Sequence, residues 1–388
     1  SGTLRPNTWC AHRKPGSSHS APGGLVTLPE LGSPQRALAV VSAPDFATLP
    51  ELGSPQRALA VVSAPDFPTP GRKRTELKAA GSPEFYRALM ARELTTLTTG
   101  GRFFEGPRWR DGTWWVSDFY RHSVYRVAPD GRQTQVLEVD TQPSGLGWLP
   151  DGRLLVVSMK DQRVLRQEPD GSVVTHADLS GLLTGVANDM VVDAIGRAWV
   201  GGFGFDLMAG EDPVASPLIR VDPDGTLSVA AAELMFPNGS VITPDGSTLI
   251  VGETIGCRYS AFTIEDDGTL SNRRVWAELA PTPTLGTFDE TIGMVAVGPD
   301  GCTLDAEGQI WFADAIGSRC VRVAEGGEIT DEIAMPEGLG AFACMLGGED
   351  GTTLLICAAP DFFEHLRAEA TEAVLLTTTV DVPHAGMP

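Results

Sequence analysis

From about residue 90 onward the chain alternates hydrophobic and polar positions over short runs, each broken by a tight turn. Period-two alternation punctuated in this way predicts half-buried strands rather than helices. Six of the turns share one phrase, a glycine followed by a mostly hydrophobic run: Asp111-Gly112, Asp151-Gly152, Ile195-Gly196, Asp245-Gly246, Glu307-Gly308 and Asp350-Gly351. A second phrase, ending in Pro-Asp-Gly at Gly131, Gly171 and Gly225, follows most copies of the first. Two strands joined by one turn and two more joined by another predict a four-stranded blade. The key glycines lie 40, 44, 50, 62 and 43 residues apart, one blade per interval, so the fold class is all-β and the architecture a six-bladed β-propeller. A strand around Glu93–Thr99 is expected to join the last blade near Ala373–Val382, closing the ring and removing its exposed edge.

The same glycines act as a ruler. Seven or eight residues before each stand Glu105, Ser144, Asn188, Asn238, Asp300 and Ala343. The innermost strand of each blade lines the central channel, so residues at equal offset should emerge at one mouth. Glu105, Asn188, Asn238 and Asp300 would then form a central metal site of oxygen ligands. Two carboxylates and two amide oxygens suit Ca²⁺, with Mg²⁺, Mn²⁺ or Zn²⁺ as alternatives. Such an ion is either structural or placed at an open mouth where it can polarise a carbonyl or phosphoryl oxygen. Taken singly, Asn238-Gly239 and Asp300-Gly301 read as turns; it is the shared offset that groups them. The glycine-rich run before Phe203 and Phe205 reads as a loop beside the channel, with those rings as pocket walls or as core. No Gly-x-Ser-x-Gly elbow and no phosphate-binding loop occurs.

Composition narrows the partners. Of 388 residues 42% are hydrophobic and 20% charged, with a formal net charge of −21. That charge excludes a nucleic-acid partner, whose phosphates need a basic surface, and favours a small neutral or cationic substrate. No apolar run reaches membrane-span length and no signal-peptide pattern opens the chain, so no membrane partner and a cytoplasmic location are expected. The six cysteines, Cys10, Cys257, Cys302, Cys320, Cys344 and Cys357, lack metal-ligand spacing and read as reduced, buried thiols. Residues 1–89 stand apart: Thr27–Phe46 recurs identically as Thr48–Phe67, Gly81–Phe85 resembles a vector scar, and this segment carries net +4. The expected division is a poorly ordered tail, 1–89, and a catalytic propeller, 90–388, beginning at Met90.

Glu105-Gly106-Pro107 with Trp109, Asn188-Asp189, Pro237-Asn238-Gly239, and Pro299-Asp300-Gly301 with Asp305 and Gly308 together resemble the regucalcin/gluconolactonase family of six-bladed propellers. The resemblance spans residues 100–382. It implies a divalent ion, usually calcium, held by Glu105, Asn238 and Asp300, with Asn188 binding the ion directly or through water and also touching substrate. It implies metal-dependent hydrolysis of a small-molecule lactone, with Asp300 as general base or direct nucleophile and Asp189 as the alternative base. The same site could serve an ester or a phosphotriester, and a calcium-binding propeller without catalysis is the non-enzymatic alternative. Sugar-lactone members carry an arginine two residues before this asparagine; here Val186 stands there. With Met190, Cys302 and the nearby Phe203 and Phe205 it would make a less polar substrate pocket. Cys302 reads as packing or as a second nucleophile.

Overall fold

The computed structural model describes residues 92–386. The duplicated segment, the Met90 boundary and Cys10 lie outside the described residues. Every one of the six glycine phrases forms the tight turn between the first and second strands of a blade, and the strands assemble into six four-stranded antiparallel sheets. Their innermost strands are Phe104–Arg110, Pro143–Trp148, Ala187–Val192, Pro237–Ile242, Pro299–Leu304 and Gly340–Gly347, in blades one to six. Each inner strand contacts the next around the ring, and blade six returns to blade one. Ring closure follows the sequence expectation: Thr95–Gly101 pairs antiparallel with Ala373–Thr379 as the outer strand of blade six.

Hydrophobic side chains pack between neighbouring blades. Leu155, Val157 and Val164 of blade two meet Met190, Val192 and Val200 of blade three in one buried cluster. Such inter-blade burial, at about 25 cal/mol per Å² of apolar surface removed from water, is the main favourable term in a fold built of short strands. Among the described residues no helix is long and apolar enough to cross a membrane. The five described cysteines are buried free thiols.

One feature of the strands positions the channel mouth. In all six blades the inner strand carries one extra residue relative to its partner, as between Glu105 and Arg108, Ala187 and Met190, Pro237 and Ser240, and Pro299 and Cys302. A bulge of this kind bends the strand and re-aims its side chains. Here it begins at Glu105 in blade one and encloses Ser144, Asn188, Asn238 and Asp300 in blades two to five.

Candidate active site

The bulges place Glu105, Asn188, Asn238 and Asp300 together on the floor of a cavity of about 630 Å³ at one end of the channel. Glycines immediately after Glu105, Ser144, Asn238 and Asp300 let the inner strands approach. A methyl group on Gly239 would lie 2.3 Å from the Asp300 carbonyl oxygen, and one on Gly145 would lie 2.3 Å from the Met190 amide nitrogen. Asn-Gly and Asp-Gly are therefore strand positions of close packing and not turns.

A hydrogen-bonded chain runs around the floor. Ser144 Oγ donates to Asn188 Oδ1 at 3.2 Å, and Asn188 Nδ2 donates to Asn238 Oδ1 at 2.9 Å. Asn238 Nδ2 donates to Thr254 Oγ1 at 3.1 Å, and the Asn238 side chain also bonds Asp300. Thr254 Oγ1 in turn donates to the Pro299 carbonyl at 2.8 Å. Each member is fixed by its neighbour, which pre-organises the ring.

The charged forms of the two ring carboxyls are disfavoured. Burial, and then the charges of Asp300 and Asp189, hold the Glu105 carboxyl well above the usual carboxylate range. Burial also pushes Asp300 up to about 8, with Asp189 adding to the effect and the Asn238 bond opposing it. Asp300 is half-buried, so its desolvation is incomplete. The basic side chain beneath the ring, Arg108, is engaged by Asp189 at 3.2 Å and by the Met190 carbonyl at 2.6 Å.

Placement of the other sequence-derived candidates divides cleanly. Val186 and Phe203 line the cavity. Asp189, Met190, Phe205 and Cys302 are not on its wall. Asp189 lies one layer deeper, paired with Arg108 and accepting the Met190 amide. Met190 packs between blades two and three, and Cys302 between blades four and five. Phe205 is buried behind Phe236, which it meets edge-on at 6.2 Å. Burial pushes the Cys302 thiol up to about 12, leaving no thiolate for nucleophilic attack.

Three functional residues escaped the sequence reading. Asp118, Glu253 and Asp314 end the second strands of blades one, four and five, each with a fully buried side chain. Asp118 accepts the amides of Arg102 and Phe103 at 3.0 and 3.1 Å; Glu253 accepts that of Met235 at 2.8 Å; Asp314 accepts that of Gly298 at 3.0 Å. Each carboxylate thereby pins the segment entering its blade to the segment leaving the second strand. Those segments carry Phe103, Phe119, Phe236, Thr254 and Ala315 onto the cavity wall. A signal was present, because each acid stands six or seven residues after its key glycine.

Fold and site together define a six-bladed propeller with an oxygen-rich ring at one channel mouth. The chain belongs to the SMP-30/gluconolactonase/LRE-like family, whose model matches residues 103–360. It is 24% identical over 288 residues to the 6-deoxy-6-sulfogluconolactonase of Pseudomonas putida, covering 73% of this chain and 93% of that one. To a pentonolactonase of Haloferax volcanii it is 26% identical over 219 residues, covering 55% and 67%. Among solved structures, a calcium-binding regucalcin from Agrobacterium tumefaciens superposes with a TM-score of 0.61 at 20% identity, covering 77% of this chain and 96% of that one. A gluconolactonase from Xanthomonas campestris gives a TM-score of 0.57 at 24% identity, covering 76% and 93%. The likeness to these two structures carries the fold.

Proposed function

We propose that the channel-floor ring is the active site of a metal-assisted lactone hydrolase. The observation that carries this reading is the ring itself: two carboxylates and two carboxamides converge at the base of a cavity, and the nearest cationic side chain, Arg108, is engaged by Asp189 below. Relatives named as lactonases support the reaction class.

The donor set fits a hard divalent cation. All four side chains offer oxygen, and neither histidine nor cysteine is among them, which favours Ca²⁺ over Zn²⁺. Among the described residues no group of three or more His, Cys, Asp or Glu stands together as a metal cluster; the ring reaches its donor number through the two asparagines. The raised carboxyls of Glu105 and Asp300 mark the place where positive charge is missing. Glu105, Asn188, Asn238 and Asp300 would hold the ion, which when bound supplies charge to polarise the lactone carbonyl oxygen and to acidify water.

The chain's own residues account for the rest of the reaction. Asp300 borders the cavity and accepts the proton of the attacking water as its oxygen adds to the carbonyl carbon. The ring C–O bond then breaks, the departing oxygen takes the proton from Asp300, and the product is a hydroxy acid. An ion held beside Asp300 would lower its basicity and would also acidify the attacking water, so the two changes oppose one another in the first transfer. Asn188 and Asn238 are locked by Ser144 and Thr254, and the Glu105 carboxylate is held by the Gly106 amide. Asp189, held by Arg108, supports the floor from below.

Asp300→Asn tests the assignment. It removes the proton acceptor while keeping size and the capacity to hydrogen-bond Asn238. Lactone turnover should fall by at least about a hundredfold, the low end of what a positioned acid–base contributes, with an unchanged circular dichroism spectrum. Near-normal turnover in the folded variant would remove Asp300 from the reaction.

A further inference from the structure

Above the polar floor the cavity changes character. Phe119, Phe103, Phe342 and Phe362 form a continuous aromatic run, with successive ring centroids 5.0, 4.9 and 6.0 Å apart. These rings come from blades one and six. On the other side Phe203 and Phe236, from blades three and four, pack with ring centroids 4.1 Å apart and planes tilted by 37°. In a six-membered ring of blades, one stands opposite four and six opposite three, so the two aromatic walls face each other across the mouth.

The backbone supports this arrangement at a cost. Phe236 has φ of 61°, a left-handed conformation that bulky side chains adopt rarely. Its carbonyl accepts the Thr254 amide at 3.0 Å, and its ring is held against Phe203. Strain kept at a cavity wall is a mark of function.

Charge on the walls is equally selective. Lys160 is the one cationic side chain that lines the cavity among the described residues. Glu364 holds it with both carboxylate oxygens, at 2.7 and 2.8 Å. Asp206 and Glu211 add negative charge at the rim. A sulfonate, phosphate or carboxylate on the substrate would meet no free cation, and sugar hydroxyls directed at the two phenylalanine walls would find no hydrogen bond there, the remaining polar lining above the ring being Gln142 and the acids at the rim.

We propose that the substrate is an uncharged lactone bearing an alkyl or aryl substituent, its ester group at the polar ring and its apolar arm between the two phenylalanine walls. This rests on the lactone-hydrolase reading and narrows it. The test is a series of γ-lactones of increasing alkyl length, from γ-butyrolactone to γ-nonalactone, set against gluconolactone and a sulfonated lactone. In parallel, calorimetry measures binding of the matching alkyl cyclopentanones, which cannot be hydrolysed.

kcat/KM should rise about fourfold per added methylene, the gain from burying one such group, and gluconolactone and the sulfonated lactone should be the poorest substrates. In Phe203→Ala and Phe236→Ala the rise per methylene should flatten. A flat wild-type series, or preference for gluconolactone or the sulfonated lactone, overturns the proposal. If no lactone is hydrolysed but cyclopentanone affinity climbs with chain length, the apolar slot stands and the hydrolase reading falls. If neither hydrolysis nor binding responds to chain length, the slot itself is refuted.

Discussion

The close approach of the inner strands makes Gly239→Ala a sharp test of how the fold builds the site. The added methyl carbon would lie 2.3 Å from the Asp300 carbonyl oxygen and 2.8 Å from the Cys302 amide nitrogen. Both obstacles are backbone atoms of the neighbouring inner strand, so no side chain can rotate away. Relieving the overlap requires blades four and five to part by roughly 1 Å, an overpacking cost of about 1–3 kcal/mol. For a domain of this size that corresponds to a fall in Tm of about 2–6 °C. The same displacement separates Asn238 from Asp300, and a misplacement of about 1 Å lowers turnover by up to about a hundredfold. Thermal melts and kcat/KM on one lactone would be measured beside Gly181→Ala, where an added methyl meets nothing within 4 Å. If Gly239→Ala is as stable and as active as Gly181→Ala, the ring does not depend on this approach and the reasoning fails.

Further expectations concern the carboxylates. Glu253 is fully buried and bound by Arg258 at 2.9 Å through two nitrogens; Glu253→Ala leaves the Met235 amide and the guanidinium unpartnered and should cost about 3 kcal/mol, read from chemical denaturation. Burial alone would raise the Glu253 carboxyl, but Arg258, Ser260 and the Met235 amide bring it below the usual range, so its contribution is present at neutral pH and lost on acidification. Asp300 has the opposite sign, because its folded-state pKa is raised from 3.8 to about 8. The metal-free folded state then binds more protons than the unfolded one between those values, and stability falls as pH rises through the window. In chelator, Asp300→Asn should gain stability relative to wild type from pH 4 toward pH 8; a constant difference would contradict the shift.

Much of this was legible in the chain because hairpin turn chemistry is local. A glycine in a tight turn announces itself without tertiary context, so the spacing from Gly112 to Gly351 reported blade number and the offset that unites Glu105, Asn188, Asn238 and Asp300 at one mouth. What lay beyond the sequence is non-local. The bulge in each inner strand shifts alternation by one residue, which is why strict offset could not say that Asp189, next to Asn188, drops to a deeper layer and meets Arg108. The cavity walls come from segments between blades, and nothing in the run before Phe203 distinguishes it from Phe205, although one ring lines the cavity and the other lies buried behind it. Asp118, Glu253 and Asp314 were readable by counting forward from the same glycines, a step the backward count did not take.

If the oxygen ring needs a divalent ion to hydrolyse a lactone, hydrolysis of γ-nonalactone measured against free calcium concentration after exhaustive chelation will show it. Turnover should be negligible in chelator and recover saturably on adding calcium back, with no recovery in Asp300→Asn. Full turnover in chelator, unaffected by added calcium, would contradict it.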